Sequence, residues 1–138
     1  MPRFNRRKLV AAALAARQRA CAPYSRFQVG AALLTKDGAI VTGANVESAS
    51  YGLTCCAERV ALFKALTEGR THFVAIAIVA AWPGGPMPCG ACRQLLLEYA
   101  PQAIVLTADS ANPRQVTEMA MAELLPRPFV LLPPKNCS

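Results

Sequence analysis

Residues 56–99 read CAERVALFKALTEGRTHFVAIAIVAAWPGGPMPCGACRQLLLEY, and they contain two helix patterns on either side of a strand pattern. The first part, residues 56–67, carries apolar residues at helical spacing and predicts a helix that ends before Gly69. Residues 73–81 are apolar almost throughout, which is typical of a strand covered on both faces. Residues 89–99 predict a second helix, with Pro88 acting as a first-turn proline. Helices that alternate with a buried strand predict a sheet with helices on its faces.

The flanking segments extend this pattern. Residues 5–20 are rich in alanine and carry apolar residues at helical spacing (Leu9, Val10, Ala13 and Leu14), so they predict a helix before the sheet. Residues 27–35 and 39–43 are apolar runs separated by an Asp-Gly pair, which predicts a β-hairpin. Residues 103–108 predict a fourth strand, and a Pro-rich tail follows Leu125. The residue pattern therefore predicts an α/β fold with a mixed sheet, in one domain that covers residues 1–138.

Composition limits the classes of function. The 138 residues suit one domain, and no repeat or composition break divides them. The formal net charge is +7, which raises the alternative of a nucleic-acid partner, but the basic residues are dispersed apart from an N-terminal cluster (Arg3, Arg6, Arg7 and Lys8). We interpret most of this charge as solvated surface and expect no nucleic-acid partner. No apolar run is long enough to span a bilayer, and no convincing signal peptide is present, so we expect a cytoplasmic protein.

Three of the six cysteines have the spacing of a metal site. Cys56 begins one predicted helix, and Cys89 and Cys92 form a C-x-x-C pair at the start of another. Helix N-termini carry free N–H groups and a partial positive charge, which favour thiolate over thiol. Three thiolates can hold Zn²⁺ and leave its fourth position open, as catalytic zinc sites do. Glu58 lies two residues after Cys56, close enough to serve a water molecule in that open position.

The same cysteines allow other interpretations. A C-x-x-C pair also occurs in redox motifs and zinc ribbons, and a closed structural zinc site would need a fourth ligand. The candidates for that ligand are Cys21, Cys55, His72 and Cys137. Adjacent residues on a helix do not point at one metal, so we interpret Cys55, together with Cys21, as a small buried hydrophobic residue. Arg59 is predicted to offset the negative charge of a three-thiolate zinc cluster, and Arg93 is a second candidate for that role.

A resemblance to a known family adds to this interpretation. Residues 22–94 resemble the small zinc-dependent cytidine deaminases. The matching motifs are APYSRF at 22–27, VGAAL at 29–33, NVE at 45–47, ASYG at 49–52, CAER at 56–59, PCGACRQ at 88–94 and LLP at 124–126. The resemblance implies a three-layer α/β/α sandwich with a mixed five-stranded sheet. It also implies a homotetramer whose active sites are shared between subunits, with one zinc ion in each subunit.

The resemblance also implies roles for individual residues. Cys56, Cys89 and Cys92 match the zinc ligands, and Glu58 matches the catalytic proton shuttle. The substrate contacts carried over are those of Phe27 with the pyrimidine, Asn45 and Glu47 with the ribose, and the backbones of Ala57 and Cys89 with the base. Tyr51 and Phe129 match positions used across a subunit interface. The sequence departs from the family pattern at Cys55 and at Arg127-Pro128, which precedes Phe129.

The expected reaction is the hydrolytic deamination of cytidine and 2′-deoxycytidine to uridine and 2′-deoxyuridine, with release of ammonia, in pyrimidine salvage. Two alternatives stay open at this point. One is a deaminase of another aminopyrimidine nucleoside such as blasticidin S, because that family shares the CAE and PCGxCRQ motifs. The other is a deaminase that acts on RNA or DNA, or a noncatalytic RNA-binding zinc module, which the basic charge motivates.

Overall fold

The structure, a computed structural model, describes residues 3–131. Its helices are α1 (Arg6–Ala16), α2 (Ala57–Thr67), α3 (Gly90–Tyr99) and α4 (Met121–Leu124). Its strands are β1 (Val29–Thr35), β2 (Ile40–Ala44), β3 (Phe73–Ala80), β4 (Ile104–Asp109) and β5 (Asn112–Ala120). Short 3₁₀ turns cover Arg17–Arg19 and Tyr51–Leu53. Across the part of the chain that the structure describes, no helix combines the length and the apolar character needed to cross a membrane.

The five strands form one mixed sheet in the order β2-β1-β3-β4-β5. The neighbours β3 and β4 are parallel, and the other three pairs are antiparallel. A parallel pair needs a crossover connection, and α3 lies between β3 and β4 in the chain. Because β3 is the central strand, its side chains are buried on both faces, with Val74 as the one half-buried exception.

Helices cover both faces of the sheet. On one face, α1 packs Leu9, Val10 and Ala13 against residues of β1, β3 and β4. On the other face, α2 and α3 bury Leu62 and Leu96 against the opposite side chains of the same strands. The result is the expected three-layer α/β/α sandwich with a mixed five-stranded sheet. Both helices that begin with the metal-motif cysteines lie on one face, so one layer positions the whole motif.

Two glycines allow the helices to approach the sheet closely. A Cβ atom at Gly30 would lie 1.9 Å from the backbone oxygen of Ala13 in α1. A Cβ atom at Gly43 would lie 2.5 Å from the backbone nitrogen of Ala61 and 2.6 Å from the backbone oxygen of Ala57, both in α2. Neither contact is compatible with a side chain, because the clashing atoms belong to helix backbone. Glycine at position 43 therefore determines how deeply the metal-motif helix sits on the sheet.

The residue pattern predicts most elements to within a few residues. The first helix ends earlier than predicted, because Arg17–Arg19 tightens into a 3₁₀ turn. Pro88 precedes the N-cap residue Cys89, so it lies just outside α3 rather than in its first turn. The pattern missed α4 and β5, and only the family resemblance implied a fifth strand. An edge strand that is mostly exposed carries polar residues and has no buried run to reveal it.

Candidate functional site

Three thiols meet where α2 and α3 begin. Cys56 is the N-cap residue of α2, Cys89 is the N-cap residue of α3, and Cys92 lies in the first turn of α3. The sulfur atoms of Cys56 and Cys89 are 3.8 Å apart, those of Cys89 and Cys92 are 3.4 Å apart, and all three lie within 4.8 Å of one another. Tetrahedral zinc at the usual zinc–sulfur distance of about 2.3 Å requires sulfur atoms about 3.8 Å apart. The cluster therefore fits this metal.

The electrostatics of the cluster favour a thiolate. The pKa of Cys56 falls to about 5, chiefly through a hydrogen bond from the Cys92 thiol and also through the Arg59 guanidinium and Cys89. The pKa of Cys92 is raised, because its proton is shared with Cys56 and because the side chain is buried. Two helix N-termini add their partial positive charge at the same point. The protein thus stabilises negative sulfur where a cation would bind.

Glu58 is a buried carboxyl group beside this cluster. Only 5% of the residue is exposed, although it lies in the first turn of α2. Burial raises the pKa of Glu58 to about 7, and the neighbouring Cys56 thiolate adds to the rise. A carboxyl group that titrates near neutral pH can both accept and donate a proton during one reaction cycle. This property distinguishes Glu58 from a helix-surface carboxylate.

Arg59 and Arg93 have different partners. The Nη2 atom of Arg59 donates to the sulfur of Cys56 at 3.4 Å and to the backbone oxygen of Thr54 at 3.2 Å. Its positive charge therefore lies against the thiolate. Arg93 instead donates to the backbone oxygens of Pro88, at 2.8 Å, and Leu124, at 2.9 Å. The hydrogen bonds of Arg93 join the metal-motif loop to α4.

Cys21, Cys55 and His72 do not join the metal cluster. Cys55 is half-buried and forms an isolated β-bridge with Val46, and burial raises the pKa of its thiol. Cys21 forms a bridge with the other side of Val46 but is exposed, so its interpretation as a buried residue was wrong. His72 lines a separate cavity of about 390 Å³ at the opposite end of α2. Cys137 lies outside the described residues. Among residues 3–131, no fourth protein ligand accompanies the three thiols.

Two isolated β-bridges at Val46 bring its neighbours Asn45 and Glu47, which are expected to contact the ribose, close to the cysteine cluster. Val46 pairs with Cys21 on one side and with Cys55 on the other, so Glu47 and Cys56 each follow a paired residue. Asn45 is buried, and its side chain accepts from the Val29 N–H and donates to the Phe27 carbonyl, both at 2.8 Å. One N–H and one lone pair of its amide remain free of these two bonds.

Glu47 lines a cavity of about 320 Å³ together with Tyr24, Ser25, Ser48, Tyr51 and Thr54. Its carboxylate accepts hydrogen bonds from the backbone of Tyr24 and from both the backbone and the hydroxyl of Ser25. The Ser25 hydroxyl contributes most to lowering the pKa of Glu47. The carboxylate is therefore charged at neutral pH and held in one orientation. The motif NVE marked Glu47 in the sequence, but no local signal marked Ser25 as its partner.

Two aromatic residues lie close together near the start of β1 and the end of β3. The rings of Phe27 and Trp82 are in edge-to-face contact, with centroids 6.3 Å apart and planes at 81°. Trp82 is 57% exposed and lies two residues after the end of β3, on the way to the second cysteine motif. It was not among the predicted site residues. Trp82 is the single tryptophan in the chain, but it belongs to no motif whose spacing would have indicated a place in the site.

Large apolar side chains stand exposed around the site. Tyr51 is 79% exposed and Phe129 is 69% exposed, and Leu53, Val130 and Leu131 are similarly open. The backbone oxygen of Phe129 accepts a hydrogen bond from the Gln94 side chain of α3 at 3.0 Å. The segment after α4 is thus joined to α3 by a hydrogen bond, while its apolar side chains are exposed.

Comparison with known proteins places this arrangement in a family. Residues 4–108 match the family model described as the cytidine and deoxycytidylate deaminase zinc-binding region. A cytidine deaminase from Halalkalibacterium halodurans is 51% identical over 91% of this chain and 95% of its own. A blasticidin-S deaminase from Bacillus cereus is 30% identical over 74% of this chain and 76% of its own.

A solved structure agrees with these matches. The crystal structure of a cytidine deaminase from Burkholderia pseudomallei superposes with a TM-score of 0.87 at 46% identity, and covers 91% of this chain and 100% of its own. The zinc-binding description of the family and the three-thiol cluster together support zinc as the cofactor. From its matched sequence, its fold and its cysteine site, the chain belongs to the cytidine and deoxycytidylate deaminase family of zinc-binding proteins.

Proposed function

We propose that this protein catalyses the hydrolytic deamination of cytidine and 2′-deoxycytidine to uridine and 2′-deoxyuridine, with release of ammonia. The observation that carries the proposal is the pairing of a buried carboxyl group, Glu58, with a three-thiol cluster at two helix N-termini. A structural zinc site has no use for a buried acid that titrates near pH 7. A hydrolytic site, in contrast, needs such an acid to accept and donate protons.

Cys56, Cys89 and Cys92 would hold the zinc ion. Three protein ligands leave one coordination position open, which is the arrangement of catalytic rather than structural zinc. When bound, zinc supplies Lewis-acid activation of a water molecule. Arg59 donates to the Cys56 sulfur and offsets part of the negative charge that three thiolates would place around the dication.

Glu58 would move the protons of the reaction. In its ionised form it accepts a proton from the attacking water and passes it to ring nitrogen 3 of the pyrimidine. It then accepts the second proton of that water, from the hydroxyl that has added to carbon 4, and delivers it to the amino group that leaves carbon 4 as ammonia. One carboxyl group can perform both transfers because burial holds its pKa near 7, so that at neutral pH it can both accept and donate a proton.

The other site residues would bind the nucleoside. Glu47 and Asn45 would contact the ribose hydroxyls, and Phe27 would pack against the pyrimidine. The backbones of Ala57 and Cys89 would contact the base, since both lie at helix N-termini beside the thiol cluster. The free hydrogen-bonding capacity of Glu47 and the cavity that it lines support this assignment.

We also propose that the functional unit is a homotetramer with shared active sites. Isolated exposed apolar residues are normal on a protein surface, but several large ones grouped near a site indicate an interface. Tyr51 is exposed on the rim of the Glu47 cavity and Phe129 is exposed in the segment joined to α3, and both would contact the nucleoside site of a neighbouring subunit. The chain would form a single catalytic domain over residues 1–138 and act in the cytoplasm on free nucleosides, in pyrimidine salvage.

Two other substrate classes provide the decisive comparison. The blasticidin-S deaminase relative is less similar to this chain than the cytidine deaminase relative, at 30% against 51% identity. A polynucleotide substrate would need a continuous basic face, but Arg6 of the N-terminal cluster is paired with Glu118 at 2.5 Å. We therefore expect neither blasticidin S nor an oligonucleotide to be the preferred substrate.

The test is a substrate panel with the zinc-loaded protein. Ammonia release is measured with cytidine, 2′-deoxycytidine, blasticidin S and a cytosine-containing single-stranded oligonucleotide at equal concentrations. We expect rapid turnover of the two free nucleosides and little of the others. Preferred turnover of blasticidin S or of the oligonucleotide would refute the assignment. Sedimentation velocity on the same sample tests the tetramer, which a monomeric active enzyme would exclude.

A further inference from the structure

The Glu47 carboxylate receives three hydrogen bonds from two adjacent residues. The backbone N–H groups of Tyr24 and Ser25 both donate to Oε1, each at 3.0 Å. The Ser25 hydroxyl donates to Oε2. An ionised carboxylate offers about four acceptor positions on its two oxygens. With three of them filled from one side, Oε2 keeps capacity for one donor from the cavity that Glu47 lines.

The Ser25 hydroxyl joins two of the proposed substrate contacts. The Phe27 backbone N–H donates to Ser25 Oγ at 3.0 Å, while the same oxygen donates its own hydrogen to Glu47. Because a hydroxyl has one hydrogen, and Phe27 supplies the hydrogen of its own bond, the Ser25 proton is left for Glu47. One oxygen atom therefore sets both the orientation of the carboxylate and the course of the backbone into Phe27.

The backbone around Ser25 depends on this hydroxyl. Arg26 adopts a left-handed conformation with φ of 58°, which is uncommon for a residue other than glycine. The Arg26 N–H closes the turn on the Ala22 carbonyl at 3.0 Å. The bond from Phe27 to Ser25 Oγ spans Arg26 on the other side. Removal of the hydroxyl would thus free the carboxylate of Glu47 and also remove the bond that spans Arg26, the strained residue before Phe27.

We propose that Ser25 is a positioning residue that sets the sugar specificity of this protein, by holding Glu47 with a single acceptor position open to the substrate cavity. This inference rests on the proposed deaminase function. A sugar hydroxyl at that position donates to Oε2 and satisfies it. A sugar that carries hydrogen there leaves a fixed carboxylate oxygen unpaired, and one that carries phosphate there brings two negative charges together. The substrate class is therefore a nucleoside with a free hydroxyl on its sugar.

The test compares kcat/KM for cytidine and 3′-deoxycytidine in the wild type and in Ser25→Ala. We expect the wild type to prefer cytidine, and Ser25→Ala to lower that preference about tenfold, mainly through a higher KM for cytidine, as for the loss of one hydrogen bond to a charged group. Ser25→Thr keeps a hydroxyl and should restore most of the preference. Ser110→Ala makes the same chemical change in the turn between β4 and β5 and should leave the preference unchanged. Zinc content and Tm are measured for each variant.

Each outcome decides a different point. Suppose that the wild type prefers cytidine. If Ser25→Ala is folded, binds zinc and keeps the full preference, the positioning role is refuted and the proposed function stands. An equal fall in kcat/KM for both substrates would show a general structural role and would also refute it. Turnover of neither substrate by the wild type would overturn the proposed function, and the Ser25 role with it. Ser25→Cys, which keeps the shape but weakens the donor, provides the same test if Ser25→Ala does not fold.

Discussion

Gly43→Ala adds one methyl group where α2 lies against β2. The new Cβ atom would lie 2.5 Å from the Ala61 nitrogen and 2.6 Å from the Ala57 oxygen. Both clashing atoms belong to helix backbone, so no side-chain rotation can relieve the contact. The helix must move away from the sheet, and Cys56 and Glu58 must move with it because they lie at its N-terminus.

The size of the effect follows from these distances. Ordinary van der Waals contact begins at 3.4 Å, so α2 must shift by about 1 Å. Overpacking of this kind costs about 1–3 kcal/mol of folding free energy. A misplacement of about 1 Å at a catalytic group can cost about 100-fold in rate. We therefore expect Gly43→Ala to lower both stability and kcat/KM, and the loss of activity to exceed what the unfolded fraction explains.

The assay combines thermal unfolding, zinc content and kcat/KM for cytidine, measured well below Tm. The control is Val10→Ala, which opens a cavity under α1 on the other face of the sheet. It should cost about 1–3 kcal/mol without moving α2, and should keep kcat/KM within a fewfold of the wild type. Wild-type stability and activity in Gly43→Ala would refute the close packing. An equal loss of activity in a folded Val10→Ala would show that general destabilisation is sufficient.

Three further predictions concern single groups. Glu58→Gln should keep zinc but lower kcat by about 10²–10⁴-fold, because the amide cannot move protons; near-normal turnover in the zinc-loaded variant would refute its role. Cys56→Ala should lose zinc and activity whereas Cys55→Ala keeps both, as measured by elemental analysis, and the reverse result would reassign the ligand. The Thr35 hydroxyl lowers the pKa of Asp37 below 3.8. The Asp37 carboxylate therefore stabilises the fold above that pH, and this contribution is lost as the pH falls further. Asp37→Asn should therefore flatten the fall of Tm in acid, and an unchanged pH profile would contradict this.

The sequence predicted the elements that have strong local signals. The apolar run of β3 and the Asp-Gly turn before β2 are signals carried by residues adjacent in the chain. The structure places both strands within a residue or two of the expected bounds. The fold class also followed, because helices that alternate with buried strands have few ways to cover their apolar faces. Strand β5 had no such signal, since an exposed edge strand needs few apolar residues.

The candidate site likewise combines features that have local sequence signals with features that have none. Residue type and position at helix starts are local properties, and from them the sequence predicted Cys56, Glu58 and the C-x-x-C pair as the residues of a metal-dependent site. The contacts of these residues became visible only in the folded chain. The attachment of Arg93 to Leu124, the hold of Ser25 on Glu47 and the approach of α2 to Gly43 all join residues far apart in the chain. Local periodicity carries no information about such pairs, because they form only when packing of the layers brings distant segments together.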